Sequence, residues 1–568
     1  MALTVTSSAN PVATPATSLL VYNTATVSDV TPGYYYWSGT AWVRFNTGAG
    51  GGGGWLLLGN SGTVDGTDFL GTIDNRPLNF RVFNTKAGRI ETDNALGNVF
   101  LGYMAGNVSA NNGINTAIGS TALKSTTTGT GNTAVGVQAL VTNISGNNNV
   151  AVGFNALSSN QAGGENTAIG IDALFGNTAT GNTAIGWRAL SGNSTGYGNT
   201  AIGLSALNSV GQGCANTAIG SSALYKQSFA GFFWATNNVA VGYQALYSNQ
   251  PTFDGNGNDN TAVGNSALYC NTTGYYNIAI GERALSGSDI TDPTTTPITG
   301  NSNVAIGRWA MFQTTSGYSN TGVGLQALSS LTTGFRNTAV GQSALSSVQT
   351  GTNNTSIGYL ANVDWNLSNS TAIGSGASVT VSNKVRIGNA SVTVIEGQVD
   401  FTWPSDARFK ENVKEDVKGI DFIMKLHPVS YNFNRLSFAK HIKENTEGRE
   451  KELQQLSQIR SVGFLAQDIE KIVKETGFEA FDAVHVPANE NDNYGLSYSH
   501  FVIPLVKAVQ EQQEIVKDLK TSNNDLQSTI GKLQTEILTL KSLLLILQSD
   551  YDTRLKKRQE QLGNKAEK

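Results

Sequence analysis

One pattern, N-T-A-[IV]-G-x-x-A-L, recurs from Asn115 to about Asn354 and constrains the fold more than any other feature of the chain. The commonest spacing between successive copies is 17 residues. A period this short and regular predicts a solenoid, in which each repeat buries its apolar side against its neighbours. Helical repeats are excluded, because 17 residues have no room for two helices and glycine recurs in every unit.

The residues of one repeat indicate which kind of solenoid forms. Along Thr116-Ala117-Ile118, a strand would place Thr and Ile on one face and Ala on the other. Gly119 permits a tight turn, and Ala122-Leu123 supplies a second short apolar segment. Small Ala side chains suit the interior of a narrow coil. About 15 coils advancing ~4.8 Å each would give a shaft roughly 70 Å long.

This array resembles the β-roll heads of trimeric autotransporter adhesins, whose repeats also centre on an N-x-A-I-G core. The resemblance covers about residues 98–390, although the period here is longer. It implies a left-handed parallel β-roll. A coil with so few apolar residues stabilises itself poorly alone, so we expect three chains to pack side by side in a homotrimer.

Charge is distributed very unevenly along the chain. Residues 1–400 carry only 29 of the 78 charged side chains, and the net charge is −4. This balance gives no reason to expect nucleic-acid binding. We expect Asn, Thr, Ser and Gly to keep the surface of the repeat region soluble. Cys214 and Cys270 lie in different repeats without metal-ligand spacing and are expected to be buried and unpaired.

The N-terminus shows neither the basic start nor the apolar run of a signal peptide, and no window is long and apolar enough for a membrane span. Residues 1–54 read as a small β unit with a glycine linker, and residues 55–97 as a short β segment. Phrases such as TPGYYYWSGTAWV resemble the N-terminal parts of tail-fibre proteins of phages and bacterial surfaces. The resemblance implies attachment to a phage baseplate or a cell-surface anchor.

Three connections between repeats are longer than the rest, and they follow Leu224, Leu246 and Leu285. Insertions in solenoids form outer loops, often on the binding face. The first insertion carries an aromatic cluster that could stack on the sugar rings of a host-surface glycan or contact a receptor protein: Phe229, Phe232, Phe233 and Trp234. The alternative is that these aromatic side chains cover the shaft or the contact between chains.

A different kind of sequence begins at residue 405, after a connector at 391–404. Four blocks follow in order, namely SDARFKENV from Ser405, LHPVSYNF from Leu426, GFLAQDIE from Gly463 and LSYSHFVIPLVKAVQE from Leu496. Together they resemble the C-terminal intramolecular chaperone domain of endosialidases and other phage tail spikes and fibres. The resemblance implies a domain at 405–501 that trimerises the nascent fibre and is then released by autoproteolysis. It also implies a catalytic Ser405–Lys410 dyad with cleavage at Ser405, at the Ser405–Asp406 bond.

The chemistry of that pair is plausible, but the spacing alone does not deliver it. A serine is a nucleophile only when a base takes its proton, and a lysine is a base only when burial or nearby positive charge keeps it neutral. Arg408 could supply that charge and Phe409 the apolar surroundings. Residues five apart share no face of a helix or strand, so the pair must form across a turn or between protomers.

Two points about this segment stay open on the sequence. Ser405 or Asp406 could simply cap a helix that begins at Ala407. The attacked carbonyl is also undecided, because a serine that attacks its own carbonyl forms a strained four-membered ring. Attack on the preceding carbonyl forms a five-membered ring. The four histidines form no constellation, and we expect no metal site and no cofactor.

Residues 502–568 read as a heptad helix that predicts a C-terminal coiled coil. The a-like positions are Val502, Val509, Val516, Asn523, Ile530, Ile537, Leu544 and Tyr551, and the d-like positions are Leu505, Gln512, Leu519, Leu526, Leu533, Leu540 and Leu547. Ile at a with Leu at d ordinarily favours dimers. Both resemblances imply trimers, which we therefore expect. A helix that folds back on the domain is an alternative.

The sequence thus predicts a mainly β protein: a trimeric left-handed parallel β-roll shaft, an α+β chaperone domain and a C-terminal coiled-coil helix. The predicted function is attachment of a virion or an extracellular surface to a host, with self-cleavage as a single-turnover reaction. One alternative is a glycan-depolymerising tail spike, against which the shaft offers few carboxylates. The other alternative is a secreted bacterial surface adhesin.

Overall fold

The computed structural model describes residues 2–564, except 5–6, 8–11, 46–62, 66, 68, 75, 92–96, 107–112, 210, 228, 254, 289–295, 400 and the side chains of 229–234. The chain divides into two compact units, Met1–Leu78 and Asn79–Lys568. The first unit holds an antiparallel sheet of three strands, β1 (Leu20–Asn23), β2 (Gly33–Trp37) and β3 (Trp42–Arg44). Tyr35, Trp37 and Trp42 lie in its core.

The second unit begins with β4 (Leu78–Val82) and β5 (Thr85–Ile90), and β5 pairs antiparallel with the first strand of a long parallel ladder. The strands that follow are β6 (Val99–Leu101), β7 (Thr116–Ile118), β8 (Thr133–Val135), β9 (Val150–Val152), β10 (Thr167–Ile169), β11 (Thr183–Ile185), β12 (Thr200–Ile202), β13 (Gly211–Cys214), β14 (Thr217–Ile219), β15 (Phe229–Ala235), β16 (Val239–Val241), β17 (Thr261–Val263), β18 (Ile278–Ile280), β19 (Val304–Ile306), β20 (Thr321–Val323), β21 (Thr338–Val340), β22 (Thr355–Ile357), β23 (Asn362–Val363), β24 (Thr371–Ile373), β25 (Ser378–Val379) and β26 (Val385–Ile387).

Each repeat contributes one three-residue strand that pairs in parallel, and in register, with the equivalent strand of the next repeat. The pairs β13–β15 and β23–β25 form two small side sheets. The middle Ala of the repeat strand is fully buried in coil after coil, as at Ala117 and Ala134, and so is the Leu of the second segment, as at Leu123. The prediction of a β-solenoid with Ala in its interior is confirmed.

The glycine after each strand is required by its neighbours. Gly119 has a φ of +131°, and a Cβ there would lie 2.5 Å from the carbonyl oxygen of Gly136 in the next coil. The repeat Leu is also left-handed, with a φ of 50° at Leu123. A left-handed residue costs about 1–2 kcal/mol. Burial of the Leu side chain, which contributes about 1.5–3 kcal/mol, offsets that cost.

The repeat asparagines do not lie on the surface, where the sequence analysis placed the solubilising residues. They are buried and form a ladder along the shaft. Asn149 shows the pattern: its backbone N–H and its Nδ2 each donate to Oδ1 of Asn132, both at 3.0 Å, and Nδ2 also donates to the carbonyl oxygen of Gly163 at 2.9 Å. A buried amide needs such partners, because an unpaired polar group would be destabilising. The ladder meets this need between coils of one chain.

Cys214 and Cys270 are both buried and unpaired, as predicted. The outer face of the repeat strands is different, because their third residues, such as Ile118, Ile169 and Ile357, stay well exposed in the single chain.

The C-terminal region is a small α/β unit followed by one long helix. Its elements are α1 (Ile420–Ile423), β27 (Val429–Asn432), α2 (Arg435–His441), α3 (Glu450–Leu456), β28 (Arg460–Gly463), α4 (Ala466–Thr476), β29 (Val484–His485), β30 (Gly495–Leu496) and α5 (Val502–Gly563), with 3₁₀ turns at Ala407–Phe409 and Tyr498–Phe501. Phe422, Phe481 and Phe501 lie in its core.

The helix α5 begins at Val502, where the heptad pattern begins, and Glu511 near its start accepts a hydrogen bond from the backbone N–H of Ile420 at 2.8 Å. Every described residue from Gln512 to Asn564 is exposed, so the helix extends away rather than folding back on the domain. Its a-like and d-like side chains, such as Ile530 and Leu540, are therefore unpacked in one chain. Among the described residues, no helix combines the length and apolar character needed to cross a membrane.

Candidate functional site

The candidate site lies where the shaft gives way to the C-terminal region. Lys410 Nζ donates a hydrogen bond to Ser405 Oγ at 2.7 Å. The turn between them makes this contact: Ala407–Phe409 form a 3₁₀ helix, and the Lys410 backbone N–H donates to the carbonyl oxygen of Ala407 at 3.2 Å. One chain thus brings together two side chains that no regular helix or strand would place side by side.

Asp406 is the N-cap of this turn, and its carboxylate accepts the backbone N–H of Arg408 at 2.9 Å. The cap and the Ser405–Lys410 contact, which the sequence analysis treated as alternatives, therefore coexist. Asp406 also binds the Arg408 guanidinium at 2.6 Å. Hydrogen bonds from the side chain of Arg408, and then from its backbone, lower the pKa of the Asp406 carboxyl.

The surroundings of Lys410 differ from the expectation. The Arg408 charge is offset by Asp406, and Phe409 is 82% exposed instead of shielding the site. Ser405 and Lys410 are exposed as well. The pair has the contact that catalysis requires, while the dry environment that would keep a lysine neutral is not supplied by Arg408 or Phe409 of the same chain.

The sequence analysis missed one neighbour of this segment, His500, because it found no constellation among the four histidines. Trp403, two residues before Ser405, meets the His500 ring edge-on with centroids 6.0 Å apart. His500 Nδ1 is in turn 2.7 Å from Oδ1 of Asp482. These side chains tether the segment before Ser405 to the C-terminal region, and the block that contains His500 was the only available signal.

The predicted receptor-contact residues lie in β15, whose backbone pairs with β13. The side chains of Phe229, Phe232, Phe233 and Trp234 lie outside the described part of the structure. Beside this insertion, the rings of Tyr225, Tyr247 and Tyr269 stack in nearly parallel planes, 5.2 and 4.9 Å apart. Burial, followed by the neighbours Tyr247, Cys270 and Tyr243, raises the pKa of Tyr269 to about 12. Among the described residues, no group of three or more His, Cys, Asp or Glu side chains could hold a metal ion.

The fold and the site together define a mainly β protein with a solenoid shaft and a distinct C-terminal region. Residues 405–478 match the family model of the chaperone of endosialidase, and this match begins at Ser405. Residues 1–63 match the model of the phage tail like trimerisation region. No curated protein matches the chain. The two matches suggest a trimeric tail fibre or tail spike, in a virion or extracellular setting, and the trimerisation region supports a homotrimer.

Proposed function

We propose that three copies of this chain form a fibre that attaches to a host or another surface, and that the C-terminal region cuts itself from the fibre at Ser405. The observation that carries the proposal is the 2.7 Å contact between Lys410 Nζ and Ser405 Oγ at the first residue of the chaperone match. Attachment is supported by the two family matches and by the aromatic sequence of the insertion that contains β15.

The reaction uses the two side chains in sequence. A neutral Lys410 amine takes the Ser405 hydroxyl proton, and Oγ bonds to the attacked carbonyl carbon. The C–N bond then breaks, Lys410 returns the proton to the leaving nitrogen, and water hydrolyses the resulting ester. Within one chain, Oγ can reach the Pro404 carbonyl through a five-membered ring, which would leave Ser405 at the start of the new fragment. Cleavage of the Ser405–Asp406 bond instead requires the serine of another protomer.

Because the Ser405–Lys410 pair is exposed in one chain, we infer that cleavage occurs only after three chains have assembled. Lys410 must lose its proton, and neither Arg408 nor Phe409 of the same chain provides the surroundings for that. Neighbouring chains that cover the exposed connector would supply the water-excluded surroundings that one chain lacks. Cleavage would then follow trimerisation, as a check that the shaft has assembled.

The test is a denaturing gel of the expressed chain beside Ser405→Ala, Lys410→Ala and Lys410→Arg. We expect fragments of about 404 and 164 residues from the wild type and full-length chain from all three variants. Lys410→Arg is the sharpest control, because it keeps the positive charge but cannot act as a base. Fragments of the same size from Ser405→Ala would refute the dyad. The mass of the small fragment identifies the bond, since it begins at Ser405 or at Asp406.

Two described carboxylates of the shaft form ion pairs and therefore do not support the depolymerase alternative. Glu282 pairs with Arg308 at 3.0 Å, and Asp364 pairs with Lys443 at 2.6 Å. Incubation of the purified trimer with capsular polysaccharides, followed by sizing of the glycan, would overturn this preference if the chains became shorter.

A further inference from the structure

The end of the shaft contacts the C-terminal region through residues that lie well away from Ser405. On the shaft side they belong to residues 364–392, and on the other side to residues 435–493. We call this surface the docking contact. The connector between the two parts is largely exposed, for example at Val399 and Phe401. A cut at Ser405 would therefore break the chain without removing any residue of the docking contact.

The first centre of the docking contact is the fully buried carboxylate of Asp492. It accepts a hydrogen bond from Lys384 Nζ of the shaft at 2.8 Å, and His485 Nε2 of its own region lies 2.8 Å away. Next to it, Thr380 Oγ1 of the shaft donates to the carbonyl oxygen of Asn491 at 2.6 Å. Burial alone opposes the charge on Asp492, but hydrogen bonds from Lys384, Ala488, Asn493 and His485 lower its pKa far below the usual range.

The second centre is the fully buried carboxylate of Glu444. It accepts the backbone N–H of Ala390 at 3.0 Å, and it pairs with Arg449 of its own region at 2.9 Å. Arg386 of the shaft lies 3.9 Å from Glu444 and packs its guanidinium over the Phe438 ring, 5.3 Å from the ring centre. Arg386 occupies an unusual position, because its strand register places it in the column filled by Ala372 in the preceding coil.

These two centres share a design. Each buried carboxylate has a side-chain partner in its own region, His485 or Arg449, and a cation on the shaft, Lys384 or Arg386. The two shaft cations lie two residues apart at the last strand, β26, which forms by pairing with β24. The docking contact is therefore complete only when the final coil of the shaft is in place.

We propose that the docking contact holds the C-terminal fragment on the shaft after the chain is cut, so that release is a second and separate step. The occupant of the shaft end is the chaperone fragment of this same protein. Buried pairs of this kind act mainly on the rate of dissociation, whereas exposed ones act little. Once the fragment leaves, both carboxylates keep a partner of their own, which favours a fragment that can separate without unfolding.

The experiment uses the full chain, and one part of it rests on the proposed cleavage. A denaturing gel reports whether the chain is cut, and size-exclusion chromatography at low salt reports whether the fragments stay together. We expect two bands from one eluting peak for the wild type, and little change at moderate salt, because buried ion pairs are screened far less than exposed ones. Two separate peaks at low salt would overturn the proposal.

The decisive variant is Lys384→Gln, with Lys124→Gln as a control that removes one shaft lysine far along the sequence. We expect release of the fragment to become about 30-fold faster in Lys384→Gln and to stay unchanged in Lys124→Gln. Equal release rates in the wild type and in Lys384→Gln would also overturn the proposal. Circular dichroism of both variants shows whether the shaft has folded.

A second arm separates this proposal from the proposed self-cleavage. A protease recognition sequence is inserted after Val399 in the Ser405→Ala chain, and the added protease makes the cut. Fragments that then co-elute support docking even if Ser405 never cleaves anything. Fragments that separate at once refute docking even if the wild type cuts itself.

Discussion

The shaft and the C-terminal helix differ in how their apolar side chains are packed within one chain. In the shaft, buried Ala, Leu and Asn side chains find their partners in the next coil of the same chain. In α5, the apolar side chains from Leu519 to Leu547 are exposed and have no such neighbours in one chain. One chain thus fills the interior of the shaft, whereas the apolar face of the helix is left without packing in one chain. The comparison teaches that the region proposed to be cut away exposes a long apolar face that other chains could cover, while the shaft already has a packed interior.

The largest expected effect comes from breaking the helix. Leu540→Lys places a charge at a d-like position of the proposed coiled coil, and we expect loss of the trimer and, with it, loss of cleavage. Light scattering measures the first and a denaturing gel the second. Leu538→Lys is the matched control, because Leu538 is equally exposed, at 67% against 64%, but lies outside the a and d positions. Trimers that survive Leu540→Lys would contradict the coiled coil.

A second prediction breaks the shaft instead. Gly119→Ala forces a side chain onto a backbone with a φ of +131° and against the carbonyl of Gly136. We expect the surrounding coils to lose about 2–5 kcal/mol of local stability. Hydrogen exchange of peptides around residue 119 measures the loss. Gly176→Ala should cost far less, since the nearest atom would be 3.2 Å away and no positive φ is required. Equal exchange in both variants would refute this account of the glycine column.

A third prediction separates the ladder from ordinary surface asparagines. Asn149→Ala leaves the buried backbone N–H of Asn166 without its acceptor and removes one hydrogen bond each to Asn132 Oδ1 and the Gly163 carbonyl, so we expect a loss of about 2–4 kcal/mol. Asn147→Ala in the same coil should cost below about 1 kcal/mol, because Asn147 is exposed and water can replace it. The same exchange measurement serves both variants. A similar loss of stability in both variants would mean that burial does not explain how the asparagine ladder stabilises the shaft.

The smallest effect concerns pH. The pKa of Tyr269 is raised to about 12, so the folded coil keeps this phenol protonated while an unfolded chain loses its proton near pH 10. Its contribution to stability is therefore complete below about pH 10 and is lost as the pH rises toward 12. Ultraviolet titration of the wild type against Tyr269→Phe should show one fewer late-titrating tyrosine in the variant. Identical titration curves would contradict the raised pKa.

Much of this fold can be predicted from the sequence, because the patterns that specify it are local and repeated. The 17-residue period, the Ala inside each strand and the start of the helix at Val502 all follow from patterns within a few residues. The burial of the repeat Asn does not, since a polar residue usually predicts surface, and its partner is 17 residues away.

The site was less predictable, because its contacts also join residues that are distant in sequence or depend on a particular turn. The identities of Ser405 and Lys410 came from a resemblance, while their contact depends on a 3₁₀ turn capped by Asp406. The link between Trp403 and His500 spans almost a hundred residues, and the pair that joins Lys384 to Asp492 spans 108. No spacing rule finds contacts of that kind.

Arg386 has a consequence for the finished fibre. A parallel ladder that ends in an uncovered strand is a template on which another shaft could polymerise end to end. From β7 to β24, the strands of the main ladder place Ala, Gly or Ser in this column, whereas β26 places a guanidinium there. Once the C-terminal fragment has gone, an incoming coil would bury the Arg386 guanidinium without a partner. The cost of removing that charge from water would oppose the association. Arg386, which contacts Phe438 and Glu444 in the docking contact, would then also oppose end-to-end association of two shafts.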